Sequence, residues 1–392
     1  MDEIKTLYVY DFYCLYLVWK KYLVIIGSLA WQDVDIKSPL DVGKISIWER
    51  LFLKYCFKKS FNGARMLYMN HKKKIFRSYE TFLLLLLIVF VLMVGLINPA
   101  FFSVGTLFDV IRNQTIYILL AFGMLPVVIL GGFDVSFGAT AALATFFAQV
   151  VLTNLGFDGG IWQFYAASIF FGVLTGVLIG WLIWSFKLSI LDLSLGMTSL
   201  INGFMVLISN FIHSRGRLTG LKGWNMKWLV TVQSVVGRSG LHVSFLLVVA
   251  AFIGMVLFLH NTTLGRSIYA TGSDRTVAVR TGINIKKIYM VVFAILGGMG
   301  AIAGVTGSGL GTRSFGEKYM QVYATVIIGG ASVRGGRGSV FGTLLGVLLV
   351  GIISQALVYV KIPTAWRDAV LGVIFIGFTL YETIQTQLKK AS

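Results

Sequence analysis

The chain has 392 residues, of which 57% are hydrophobic and 13% charged, with a mean hydropathy of +0.82. A soluble domain carries roughly 25% charged residues, so this composition belongs to a membrane protein. The net charge of +18 comes without an aromatic-studded basic groove, two cysteines make no disulfide framework, and four histidines share no ligand spacing; nucleic-acid binding, a metal centre and a bound cofactor are therefore not expected.

Residues 1–75 read as an N-terminal extension outside the core, and 76–392 as a transmembrane domain. Residues 1–80 hold 14 Lys+Arg and 8 Asp+Glu. The run 7–30 is apolar but interrupted by Asp11, Lys20 and Lys21, which makes it a weak spanning candidate. Met66 or Met69 is one reading of the true start and a peripheral extension is the other. The cluster His71, Lys72, Lys73, Lys74 and Arg77 then places the leading end of the first span in the cytoplasm.

A spanning helix needs about 20 mostly apolar residues. Ten segments are expected: 81–98, 110–131, 135–155, 161–185, 190–212, 243–260, 288–310, 320–332, 340–360 and 367–386, the eighth short enough to be a half-helix. The fold class is thus an all-α membrane protein of about ten helices, some short or broken, multi-pass in the cell (inner or plasma) membrane. An even count puts both termini in the cytoplasm. Against the positive-inside rule, the loop 213–242 falls outside although it carries Arg215, Arg217, Lys222, Lys227 and Arg238; a basic outer platform is the reading that keeps the count.

VVILGGFDVSFGATAAL at 127–143 and TVIIGGASVRGGRGSVFGTLL at 325–345 echo one another. Each sets an apolar helix end before Gly-Gly, then polar residues, then a new span. Gly131, Gly132, Gly329 and Gly330 are candidate helix breaks of the kind that gather at transport pathways; two tight turns between ordinary helices is the other reading. Asp134 follows the first break, and with Ser136 it is a candidate pathway group or a cap for the next helix. Asp192 stands inside LSILDLSLG, where a carboxylate needs a partner or a cavity, and Thr198, Ser199 and Asn202 extend a polar stripe from it. Asp109 and Arg112 lie three apart, as an intrahelical pair does.

Between Gly265 and Gly282 stands a charged island, GRSIYATGSDRTVAVRTG. Ser273 or Asp274 suits an N-cap, and Gly282 the left-handed position that ends a helix. Arg275, Arg280, Lys286 and Lys287 mark the face as cytoplasmic. No G-x-x-x-x-G-K-[ST] pattern occurs, since RGGRGS lacks the lysine, so the chain does not hydrolyse ATP itself.

GRSIYATGSDRTVAVRTGI resembles the cytoplasmic loop of ribose-type ABC importer permeases. GMLPVVILGGFDVSFGA at 123–139, KLSILDLSLGMTSLINGF at 187–204 and VIIGGASVRGGRGSVFGTLLG at 326–346 agree with it in order. The resemblance covers nearly everything after residue 80 and implies a permease subunit carrying a monosaccharide inward. The alternatives are a nucleoside, autoinducer-2 or another small polar solute; a proton-coupled carrier and a membrane-embedded enzyme are further removed. It implies as partners an ATP-binding subunit with two nucleotide-binding halves, an extracytoplasmic solute-binding protein, a second permease copy in a homodimer or heterodimer, and the lipid bilayer. It also implies that Gly265, Arg266, Gly272, Asp274, Ala278 and Gly282 belong to a short cytoplasmic coupling helix that the ATPase grips. The chain departs from that family at Asp192, Ser189, Pro126, Tyr319 and Gln321, where only Glu317 supplies a nearby acid. Those departures bear on the cargo and leave the architecture intact.

Overall fold

The structure is a computed structural model that describes residues 79–359, apart from 97, 157–159, 214–231, 237, 238, 243 and 311–318, together with scattered helical positions between 366 and 380. The chain divides into two units, 1–71 and 72–392, and every described residue belongs to the second. The expectations for residues 1–75, for Glu317 and for most of the tenth span fall outside the described residues.

Among the described residues, eight helices are long and apolar enough to cross a bilayer. They are α1 (Tyr79–Leu96), α2 (Val104–Ile129), α3 (Phe137–Asn154), α4 (Ile161–Phe186), α5 (Ile190–His213), α6 (Ser244–Asn261), α9 (Ile285–Gly309) and α11 (Val340–Tyr359). Between α6 and α9 lie the short helices α7 (Thr263–Ser273) and α8 (Arg275–Arg280), and before α11 lies α10 (Tyr319–Ile328). With ten residues, α10 rises only about 15 Å, half of a hydrocarbon core. The described part of the eighth expected segment thus has the length of a half-helix.

The loop expected to be a basic platform contains a two-stranded antiparallel hairpin, β1 (Val232–Val236) and β2 (Ser239–His242). Val236 pairs with Ser239 and Val232 with His242, with a bulge between Val232 and Ser234. The alternation there is too short and too polar to be read as strands from sequence.

The helices differ in how much of their surface is covered. In α2, 83% of the spanning window is buried, against 17% in α1 and α5. A helix apolar on every side is either central or lipid-facing, and sequence hydropathy cannot separate the two. Packing does so here. The large buried side chains Phe122, Met124, Leu125 and Ile129 of α2 join Phe137 of α3 and Phe293 of α9 in one core.

The tightest pair is α4 with α9. Gly172, Gly176 and Gly180 recur every fourth residue along one stripe of α4, and all three are buried. A Cβ on Gly180 would sit 2.7 Å from the Tyr289 carbonyl oxygen; one on Gly176 would overlap the Phe293 carbonyl, and one on Gly172 the Gly297 carbonyl. Small residues at this spacing let two backbones approach where lipid supplies no hydrophobic drive for association. Near the opposite end Tyr165 and Thr306 share a hydrogen bond of 2.9 Å between the same helices.

Gly176→Val is expected to destabilise the protein in detergent by about 1–3 kcal/mol or more, the usual cost of forcing atoms into a packed core. Gly254→Val, at a position where a Cβ meets nothing, should shift the melting temperature little. Equal shifts for the two would show that the α4–α9 contact is not close-packed.

Candidate functional site

Three helix ends share one solution to the carbonyls they leave unpaired. α2 ends at Ile129, and the N–H groups of Gly131 and Gly132 donate back to Val128 and Val127 at 2.9 and 3.0 Å. α10 ends at Ile328, and Gly330 and Ala331 donate to Ile327 and Val326 at 2.8 and 3.2 Å. α8 ends at Arg280, and Gly282 and Ile283 donate to Val279 and Ala278 at 3.0 and 3.1 Å. Each is the paired backward bonding that closes a helix on a left-handed residue. That residue is glycine each time, with φ of 80° at Gly131, 90° at Gly330 and 80° at Gly282. The echo between the two Gly-Gly pairs is thus a shared stop motif, offset by one: the first glycine turns in one pair, the second in the other.

The two Gly-Gly stops meet the island. The loop from Ala331 to Ser339 folds across the end of α2, and the Gly336 N–H donates to the Ile129 carbonyl at 2.7 Å. A Cβ at Gly335 would lie 2.8 Å from both the Gly131 nitrogen and the Gly272 carbonyl oxygen. A Cβ at Gly272 would overlap the Ile129 carbonyl oxygen. Gly272 lies within α7 and is not among the residues of positive φ. Its need is space. Tyr269 of α7 donates to the Gly338 carbonyl at 2.8 Å, and burial pushes its phenol up to about 12, so it remains a donor at physiological pH. The first span joins the same place: the Tyr79 hydroxyl donates to Ile328 O at 2.9 Å, and Ser339 Oγ donates to Glu80 Oε1 at 2.6 Å. The start of α1, the end of α2, the end of α7 and the α10–α11 break therefore lie on one face.

The island is two helices and not the single one expected. Thr262 caps α7 by accepting from Gly265 N at 2.9 Å. Asp274 separates the helices with an extended backbone and caps α8, accepting from Thr276 N and Val277 N at 2.8 and 3.1 Å. Of the residues assigned to coupling, Gly265 and Ala278 are buried, whereas Arg266, Asp274 and Gly282 are exposed. Ala278 therefore anchors α8 to the body and does not face outward. Val277 and Val279 on either side of it are 52% and 56% exposed. The sequence reading passed over these two valines; apolar residues flanking a buried alanine in an otherwise charged helix are the signal it had.

The polar residues assigned to a pathway differ in their exposure. Asp134 and Ser136 are fully buried. The Ser136 N–H donates to the Asp134 carboxylate, and the Val135 N–H donates to Ser194 Oγ at 3.1 Å, tying the break to α5. Asp134 thus closes a turn just before α3, whose N-cap is Ser136, while its second carboxylate oxygen has no hydrogen-bond partner among the described residues. Asp192, by contrast, is exposed in the first turn of α5, where a negative charge suits the helix dipole, and its N–H donates to Ser189 Oγ at 3.1 Å. Asp192, Gly196, Ser199, Asn202 and Gly203 are all exposed, and at 100° per residue they fall on one side of α5. The Asp109–Arg112 pair forms as expected, at 3.2 Å.

Gly272→Ala should raise exchange of the Gly336 amide about fivefold, the equivalent of one net hydrogen bond of about 1 kcal/mol. Gly203→Ala, in open space, should leave it unchanged, and an unaltered Gly336 amide in Gly272→Ala would break the junction argument. Asp274 gives a second test. Its side-chain bond from Thr276, then the N–H groups of Val277 and Thr276, hold its carboxyl below the ordinary 3.8. The charged cap should therefore be fully present above pH 3.8 and be lost as pH falls through the lowered value. Asp274→Ala should deprotect the amides of Thr276 and Val277 at neutral pH more than Asp274→Asn, which keeps an acceptor.

A family model for the branched-chain amino acid transport system permease component matches residues 106–379. The chain is 29% identical over 316 residues to the autoinducer 2 import system permease protein LsrC of Yersinia enterocolitica, covering 77% of this chain and 81% of the relative. It is 30% identical over 318 residues to the protein of the same name from Yersinia pseudotuberculosis, covering 77% and 84%. The protein of that name from Salmonella typhi is 29% identical over 324 residues, covering 79% and 87%. No solved structure matches the chain.

Proposed function

We propose, for a chain that belongs to the branched-chain amino acid transport system permease-component family and is the permease subunit of an ABC importer, that it carries a small, neutral, hydroxyl-rich solute inward. It is a multi-pass membrane protein and not an enzyme, and a permease of this kind works with an ATP-hydrolysing subunit and a solute-binding protein. The monosaccharide and autoinducer-2 readings share the chemistry of hydroxyl recognition. The relatives that import autoinducer 2 by name favour that solute.

The observation that carries the reading is the island. α7 and α8 stand on the face where two helix stops and the start of α1 meet, and α8 turns Val277 and Val279 outward. Arg266, Arg275, Arg280, Lys286, Lys287, Arg334 and Arg337 are exposed on the same side, which favours the cytoplasm for that face and for the start of α1. An ATPase subunit gripping α8 would push α7, and α7 would bear through Gly272 on the Ile129 carbonyl and the 331–339 loop. Both Gly-Gly stops would then move with one input. The exposed side of α5, with Asp192, Ser199 and Asn202 beside Gly196 and Gly203, would face a second permease copy across the pathway. These polar groups offer hydroxyl partners, and Asp192 would repel an anion.

Val277→Asp with Val279→Asp should abolish co-purification of the ATPase subunit and solute uptake, while the protein still reaches the membrane. Retained co-purification would remove α8 as the docking element. The cargo is read separately, by calorimetric titration of the cognate binding protein with autoinducer 2, neutral sugars and branched-chain amino acids. Tight binding of an amino acid and of no hydroxyl-rich solute would overturn the cargo and leave the permease reading standing.

A further inference from the structure

A groove of about 380 Å³ opens between α4 and α9 beside the island. Val177 of α4 and Met290, Val291 and Ala294 of α9 form its apolar wall, and Lys286 and Lys287 stand at its mouth. Both lysines are exposed. Among the described residues neither has a carboxylate within ion-pair distance, and the first turn of α9 contains no acid. The Lys286 ammonium lies 5.0 Å from the centre of the Trp184 ring on α4, which holds it over the groove.

Two adjacent unpaired cations at the leading end of a helix repel each other and meet the positive end of its dipole. An anion placed between them relieves both terms. The wall fixes what kind of anion. From Lys286 to Ala294 the helix rises about 12 Å, so the apolar surface continues from the mouth well into the span. A soluble acidic partner reaches the mouth and not the wall, whereas a phosphate head with acyl chains fills both. Basic recesses between spanning helices bind anionic headgroups in this way.

We propose that the Lys286–Lys287 groove is a binding site for an anionic phospholipid of the leaflet on the island face. The headgroup phosphate sits between the two ammonium groups, and one acyl chain lies along Val177, Met290, Val291 and Ala294. The lipid then bridges α4 and α9 just beside the helices that take up the ATPase stroke.

The full chain in nanodiscs of phosphatidylcholine, titrated with spin-labelled phosphatidylglycerol, reads the site directly. Wild type should immobilise phosphatidylglycerol in preference to spin-labelled phosphatidylcholine. Lys286→Gln with Lys287→Gln should lower that preference about thirtyfold, the effect of two basic residues at a membrane surface. Lys286→Arg with Lys287→Arg should preserve it. Val291→Phe, which fills the wall and leaves both charges, should lower binding of the labelled lipid at an unchanged melting temperature. Equal immobilisation of the two lipids by wild type would overturn the proposal. So would a double Gln variant that behaves as wild type, or competition by glycerol 1-phosphate as effective as that of the whole lipid, which would mark a soluble-anion site.

Discussion

A helix that stops at a membrane must still satisfy the carbonyls of its last turn, and most of this protein's candidate machinery follows from how three helices do so. α2, α8 and α10 each turn back on a left-handed glycine, so their last carbonyls bond within the chain. The Ile129 carbonyl goes further and accepts the Gly336 N–H. A backbone bond between the last turn of one helix and a loop that begins at another helix stop leaves no side chain to flex between them. Gly272 completes the arrangement because anything larger would displace the Ile129 oxygen. The result is backbone-to-backbone contact among α2, α7 and the 331–339 loop, a stiff path for a force applied at one of them.

The same economy of side chains governs the spans. α4 and α9 approach through Gly172, Gly176, Gly180 and Gly297, so that carbonyls of one helix lie against the bare backbone of the other. α2 is enclosed by large side chains, with Phe122, Met124 and Leu125 fully buried. The protein therefore has a packed centre of α2, α9 and α11, and outer helices α1, α5 and α6 with broad uncovered faces. A mobile pathway needs such a division. The polar side of α5 lies on the uncovered part, while Asp134 and Ser136 are locked into the joint between α2, α3 and α5.

The two carboxylates show how environment separates residues of the same kind. Asp134 and Asp192 both sit in apolar sequence. Asp134 is enclosed and serves the backbone at the start of α3. Asp192 lies in the first turn of α5, exposed and aligned with the helix dipole. Between them, the Ile190 side chain packs over Gly132 and sets the start of α5 against the break. Hydropathy windows average over that distance and register no distinction.

By itself the sequence determined that this is a helical membrane protein, where eight of its spans lie to within about six residues, that a capped island interrupts them before Ile285, and that Gly-Gly pairs end two helices. These features are local: apolar runs, cap residues and glycines act within a few positions of themselves, so their physics is written in order along the chain. The tertiary structure decided the rest. It showed that the island is two helices separated at Asp274, that Gly272 needs space against the Ile129 carbonyl, and that Val277 and Val279 face outward while Ala278 faces in. It brought Ile129, Gly272 and Gly336 together from three distant stretches, and it buried Asp134 while leaving Asp192 exposed. Each of these depends on which backbone lies against which, and in a chain where glycine stripes and apolar faces recur on nearly every helix, sequence periodicity leaves the partner of each face undetermined.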